Sequence, residues 1–314
     1  MSVHGEALLE LLKRGDSLLM DGALGTELER HALPIEGEGW SALAVRDHAE
    51  VISAIHGQYL DAGARLHIVN SFALARHVLE PIGLGAEFER LNRRSVALFE
   101  DAVSAAGADR KNLWAAGSLS TFAANSDRRL LPKSEVLWQN CHDQAALLAD
   151  AGVDLFALEM LFDVDVSRCM LDAVSGFGLP VIAGFTCEWE PGRPGSVVTH
   201  SGVGFAPVPL QSVLAQALVD VDPNRVVLAI MHSDVDVTET ALDIARQHWP
   251  GVLAAYPNSG EFVDLHLQFD SVCSEDAFER AALGWIESGV QIVGGCCGVG
   301  PTHIDRLGGK LDWS

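Results

Sequence analysis

Lysine is scarce in this 314-residue chain, at four in all, and tyrosine scarcer still, at two. Lysine and arginine together number 21 against 43 aspartates and glutamates, which leaves a formal net charge of -22. Such a charge repels phosphate backbones and anionic lipid surfaces, so neither nucleic acid nor membrane is an expected partner. The acidic excess suits a soluble surface or a saline habitat. No apolar run reaches the roughly 18 residues needed to span a bilayer. The stretch from Met1 to Lys13 carries His4, Glu6 and Glu10 and does not read as a secretory leader. Six cysteines (Cys141, Cys169, Cys187, Cys273, Cys296 and Cys297) are too few for a disulfide scaffold in so long a chain. They read as reduced thiols, and the cytoplasm is the expected location.

What is present is apolar material, 48% of residues against 20% charged, enough for a large closed core. Eight short aliphatic runs recur: Ser17 to Met20, Leu66 to Val69, Leu113 to Ala116, Leu155 to Leu158, Val181 to Phe185, Arg225 to Met231, Val252 to Tyr256 and Val290 to Val293. Each reads as a buried strand. Amphipathic stretches lie between them, such as Val51, Ile52, Ile55 and Tyr59, or Ala145, Leu147, Leu148 and Ala151. Three helix ends share one signature, with Gly63, Gly152 and Gly289 each set to cap a helix before a strand begins. Eight such units without a linker predict an α/β fold, a single (β/α)8 TIM barrel spanning residues 1–314 as one domain. A doubly wound open sheet is the competing topology. The stretch from Pro191 to Pro209 reads as one longer loop, either a lid or a plain surface excursion.

Catalytic groups of such barrels sit where strands end, so the polar strand ends form one pool of candidates. They are Asp21-Gly22-Ala23-Leu24-Gly25-Thr26, Asn70-Ser71-Phe72, Gly117-Ser118, Glu159, Thr186-Cys187-Glu188, His232-Ser233, Pro257-Asn258-Ser259-Gly260-Glu261 and Gly294-Gly295-Cys296-Cys297-Gly298. The last is the most specific. Adjacent cysteines form a disulfide only with strain, whereas flanking glycines let both sulfurs face one point. Two thiolates and a nitrogen make a three-ligand zinc site with an open fourth position, and His232 supplies a nitrogen. Two unreactive buried cysteines behind a glycine turn are the plainer alternative.

The double-cysteine segment, with Asp21-Gly22-Ala23-Leu24-Gly25-Thr26, Asn70-Ser71-Phe72 and Tyr256-Pro257-Asn258-Ser259-Gly260-Glu261, resembles the homocysteine S-methyltransferase family, in order from about Leu19 to His303. The resemblance implies a small-molecule thiol acceptor, homocysteine, and a methyl donor such as S-methylmethionine or S-adenosylmethionine. It also implies a Zn2+ cofactor, methionine as product and no obligatory protein base. It further implies that Glu159 holds the amino group of homocysteine and that Asp21 and Gly22 line the same pocket, with Asn70, Ser71 and Asn258 beside it. Bland readings stand next to these. Glu159 could pair with an internal arginine or lysine, Asp21 could cap a turn, and Asn70 and Asn258 could hold strand ends.

The sequence departs from the family at Leu228-Ala229-Ile230-Met231-His232-Ser233, where relatives carry asparagine and cysteine at the positions of Met231 and His232. Metal binding through His232, Cys296 and Cys297 survives on chemical grounds, with one thiolate fewer. His232 could instead be a core or supporting histidine, and Cys187 could then complete a three-cysteine site. Val69 and Gly117-Ser118-Leu119-Ser120 also differ from many relatives and touch substrate recognition. Competing functions are a different thiol acceptor, a corrinoid donor, a zinc hydrolase using Glu188 or Asp234 as base, and a partner subunit without turnover. A homo-oligomer is compatible with the sequence, which does not specify one.

Overall fold

The computed structural model describes residues 3–31, 33, 39–122, 128–200, 206–263 and 266–310. Eight strands form one sheet: β1 (Leu18–Leu19), β2 (Leu66–Val69), β3 (Trp114–Ser120), β4 (Leu155–Leu161), β5 (Val181–Phe185), β6 (Val226–Asp234), β7 (Leu253–Asn258) and β8 (Ile292–Val293). All neighbouring pairs are parallel, and an isolated parallel bridge from Met20 to Leu66 joins β1 to β2 and closes the barrel. Every aliphatic run named above supplies one strand, so the barrel replaces the doubly wound alternative. β3, β4, β6 and β7 run beyond the predicted ends, which carries Ser118, Glu159, His232 and Asn258 into the strands themselves.

Side-chain alternation divides the apolar interior into two shells. Leu18, Met20, Leu66, Trp114, Leu155, Ile182, Val227, Met231, Tyr256 and Ile292 fill the barrel. Leu19, Val69, Phe156, Leu158, Phe185, Ile230 and Val293 face outward and bury the apolar stripes of the surrounding helices. Helix Ala49–Asp61, for example, turns Ile52, Ile55 and Tyr59 inward, all fully buried. Gly63, Gly152 and Gly289 adopt left-handed conformations at three helix-to-strand junctions, as their shared signature predicts.

The first helix, Val3–Lys13, lies outside the repeated unit. Its Leu8, Leu11 and Leu12 join the barrel interior, and Gln291 Nε2 donates to the Leu12 carbonyl at 2.7 Å. Trp114 Nε1 likewise donates to the His4 carbonyl at 3.1 Å. These contacts stopper the end of the barrel opposite the polar strand ends. The stretch from Pro191 to Pro209 is not plain loop: Val197–Thr199 pairs antiparallel with Cys187–Trp189 over the mouth, while 201–205 lie outside the described residues. Among the described residues no helix is long and apolar enough to cross a membrane.

Leu8 is wholly buried in the stopper. Leu8→Ala is expected to cost about 2–5 kcal/mol through lost transfer energy and a cavity. A urea titration should show the lower midpoint, and metal stoichiometry should be unchanged because the stopper lies at the far end.

Candidate active site

The segment after β8 is shaped by backbone bonds from three directions. Gly295 N donates to the Asp21 carbonyl at 2.9 Å, Cys296 N to the Pro257 carbonyl at 2.7 Å, and Ser259 N to the Cys297 carbonyl at 2.8 Å. Gly298 turns with φ 82°, and a Cβ there would lie 1.9 Å from the Ser259 carbonyl oxygen. Only glycine permits both the left-handed turn and that approach. As a result both sulfurs point the same way, with Cys296 Sγ 3.9 Å from Cys297 Sγ.

His232 completes the group. Its Nδ1 lies 3.5 Å from Cys296 Sγ, and the three ligand atoms all lie within 4.8 Å of one another. A tetrahedral cation with bonds of about 2.3 Å to sulfur and about 2.0–2.1 Å to nitrogen sets its ligands about 3.8 Å (S–S) and about 3.6 Å (S–N) apart. The two edges that meet at Cys296, 3.9 Å and 3.5 Å, match those values, and the third ligand pair lies within 4.8 Å, so the side chains fit a metal. His232 reaches the site by leaving regular strand geometry, with φ 42°. Thr186 Oγ1 braces the excursion by donating to the His232 carbonyl at 3.0 Å. Met160, at the end of β4, also has positive φ (62°), and its N–H meets Met231 Sδ at 3.4 Å. Two non-glycine residues in this conformation, on strand ends joined by that contact, mark a strained and over-determined spot of the kind functional sites retain. The Cys297 sulfur and burial hold the Cys296 thiol well above its usual range. Two adjacent thiolates need a cation to ionise together.

Cys187 does not join this cluster. Its thiol is buried against Ser233 Oγ at 3.3 Å, with burial pushing its pKa up to about 12. Glu188 is paired with His200 Nδ1 at 2.9 Å on the hairpin over the mouth, and Asp234 is exposed at the start of helix Val235–His248.

The remaining strand ends build a polar pocket beside the sulfurs. Glu159 is 5% exposed and accepts a short hydrogen bond from Ser118 Oγ, while among the described residues it has no arginine or lysine partner. Burial pushes its pKa up to about 7, opposed by Ser118 and His232. A buried carboxyl without an internal cation suits a cationic ligand. Asp21 is equally buried. Its Oδ2 accepts from Ile68 N at 3.0 Å, across to β2 instead of within a turn, and its Oδ1 has no partner. Gly22 packs its α-carbon so close to Val299 that a Cβ would lie 2.2 Å from that carbonyl oxygen. Asn70 Nδ2 and Asn258 Oδ1 are buried and unpartnered, although Asn258 also bonds Asp234. Ser71 differs, since its Oγ donates to the Ser118 carbonyl at 2.8 Å and so ties β2 to β3.

The family model of homocysteine S-methyltransferase matches residues 18–311. The chain belongs to the homocysteine S-methyltransferase family. Among members of the family, the homocysteine S-methyltransferase of Escherichia coli (strain K12) is 29% identical over 96% of this chain and 97% of its own length. The selenocysteine Se-methyltransferase of Brassica oleracea var. italica is 27% identical over 97% of this chain and 92% of its own. The homocysteine methyltransferase MmuM from Escherichia coli, solved in a metallated form, superposes with a TM-score of 0.75 at 25% identity, covering 96% of this chain and 99% of that one.

Sequence reasoning missed Tyr256 as a pocket residue. Its hydroxyl is buried without a partner and reaches across to β5, where a Cβ on Gly184 would lie 2.5 Å from it. Alternation along β7 puts residues 254, 256 and 258 on the inner face, and that was the available signal. Gly298→Ala is expected to lower metal content below one equivalent per chain and to lower the melting temperature, because the turn strains and the Ser259 carbonyl must move. Elemental analysis beside a thermal melt checks both.

Proposed function

We propose that this chain transfers a methyl group from a small sulfonium donor, S-methylmethionine or S-adenosylmethionine, to L-homocysteine and releases methionine. The observation that supports it most is the cluster of Cys296, Cys297 and His232, whose ligand atoms converge within 4.8 Å beside an uncompensated buried carboxyl. Residues 1–314 act as one barrel domain. The free state of all six cysteines suits the reducing cytoplasm.

Cys296, Cys297 and His232 would hold zinc. Zinc held there would keep the substrate sulfur as a thiolate near neutral pH. Glu159, oriented by Ser118, and Asp21, through its open Oδ1, both take the substrate ammonium. Gly22, Asn70, Ser71 and Asn258 shape the amino-acid pocket. Anchoring the amino acid at one end and its sulfur at the other aligns the nucleophile with the methyl carbon, and orientation of this kind supplies much of the rate. Proton abstraction at the thiol then needs no side-chain base. The acceptor reading carries one chemical consequence. A neutral imidazole in place of a third thiolate leaves the ligand set less negative by one charge.

Three outcomes follow from this assignment. Zinc-loaded protein given L-homocysteine with either sulfonium should yield methionine by mass spectrometry, and no methionine from any donor would contradict the reading. His232→Ala should lose zinc and activity together, whereas His232→Cys should keep one zinc per chain. The KM for homocysteine should rise as pH falls through about 7, where Glu159 takes up its proton, by up to about tenfold per pH unit. Glu159→Gln should remove that dependence along with most of the affinity.

A further inference from the structure

Two imidazoles and a carboxylate are buried together behind the first two strand ends, and the chemistry above uses only the carboxylate. His67 lies on β2, turned out of the barrel toward Phe99 and His56, with ring centroids 5.1 Å and 6.1 Å away. His56, on helix Ala49–Asp61, also packs edge-on to Phe99 at 5.6 Å. Both imidazoles are 0% exposed and Asp21 is 2% exposed. Asp21 Oδ1, His67 Nδ1 and both ring nitrogens of His56 have no hydrogen-bond partner.

The hydrogens of the pair can be counted. His67 Nε2 lies 3.0 Å from the Ala64 carbonyl oxygen, which can only accept, so Nε2 carries a hydrogen. In the neutral ring Nδ1 is then a bare lone pair, and it faces Asp21 Oδ2 at 3.8 Å. An ionised carboxylate also offers only lone pairs. Two acceptors facing each other in an apolar interior repel, and one proton between them turns the pair into donor and acceptor. The 3.8 Å gap exceeds a hydrogen bond, so contact needs a shift of one side chain toward the other.

We propose that His67 is a positioning residue for Asp21: the pair holds one proton in the free protein, and that proton passes to His67 when a substrate ammonium docks on Asp21. This rests on the homocysteine reading. The groups facing the pair are His56 and Tyr59 from the helix, Arg110 from the turn before β3, Glu159 from β4 and Tyr256 from β7. Burial pushes Asp21 well above the carboxylate range, and Glu159 adds to it. Burial also holds His67 down to about 4 and His56 down to about 3. In the free protein the proton therefore sits on Asp21 Oδ2, aimed at Nδ1. A docking ammonium favours the carboxylate. The O–H bond breaks, an N–H bond forms at Nδ1, and the pair becomes carboxylate and imidazolium. Both ring N–H groups then have acceptors, Asp21 and Ala64, and no proton enters or leaves the protein.

Zinc-loaded protein labelled with 15N at histidine, observed in long-range proton–nitrogen spectra with and without saturating L-homocysteine, tests this directly. His67, assigned by the resonances missing in His67→Asn, should be the neutral Nε2–H form alone and doubly protonated with substrate. His67→Asn and His67→Phe should each raise the homocysteine KM about tenfold while kcat changes less than twofold, equal to about 1.4 kcal/mol of ground-state binding. The increase should grow as pH falls, since Asp21 must then release its proton to water. A His67 that stays neutral with substrate bound, or variants with unchanged KM at every pH, would overturn the proposal. So would a second zinc equivalent per chain that His67→Asn removes, since a cation would then occupy Nδ1. If the wild type shows no response to homocysteine, the functional reading and the docking step fall together. The free-protein Nδ1 shift then still decides whether the pair shares a proton, because an Nδ1 that accepts from Asp21 resonates upfield of one with a bare lone pair. Thermal melts of both variants separate these results from misfolding.

Discussion

The convergence of two adjacent sulfurs on one point is the constraint on which the rest of the site depends. Neighbouring side chains on an extended backbone point apart, so the convergence has to be imposed. Here the left-handed turn at Gly298 and backbone bonds to Asp21, Pro257 and Ser259 impose it. Those partners belong to the ends of β1 and β7, which flank β8 in the closed sheet. Barrel closure and the approach of the two sulfurs are therefore one structural fact. The sulfurs are placed by strands whose own positions the helices outside and the stopper beneath hold fixed.

Around the sulfurs the barrel keeps polar groups buried and incompletely paired: Glu159 with Ser118 alone, Asp21 with one open oxygen, and Tyr256, Asn70 and Asn258 each with an orphaned atom. Each such group costs stability unless something docks against it. They gather at one end of the barrel, opposite a stopper made of leucine, so the incompletely paired groups lie apart from the apolar packing that closes the other end.

Much of this was legible in the sequence, and the limits are physical. The eight strands could be read because buried parallel strands are continuous aliphatic runs. Their ends were misplaced where polar residues such as Ser118 and Glu159 continue the backbone ladder into the pocket. The convergence of the two sulfurs was legible because Cys296 and Cys297 sit between glycines. His232 was the less certain member, since one residue in an aliphatic strand says nothing of the positive φ that swings its ring toward Cys296. The alternative role for Cys187 fails because its thiol turns to Ser233. The link from Asp21 to His67 was not legible at all, because alternation places His67 outside the barrel and only the reach of Asp21 across to β2 brings the two together.

The central claim is that this chain grips a divalent cation through two sulfurs and one imidazole. X-ray absorption at the zinc edge of substrate-free, zinc-loaded protein measures that ligand set directly. The structure leads to two sulfur scatterers at about 2.3 Å and one imidazole nitrogen at about 2.0–2.1 Å. Three sulfurs in the absence of substrate, or a protein that takes up no metal, would contradict it.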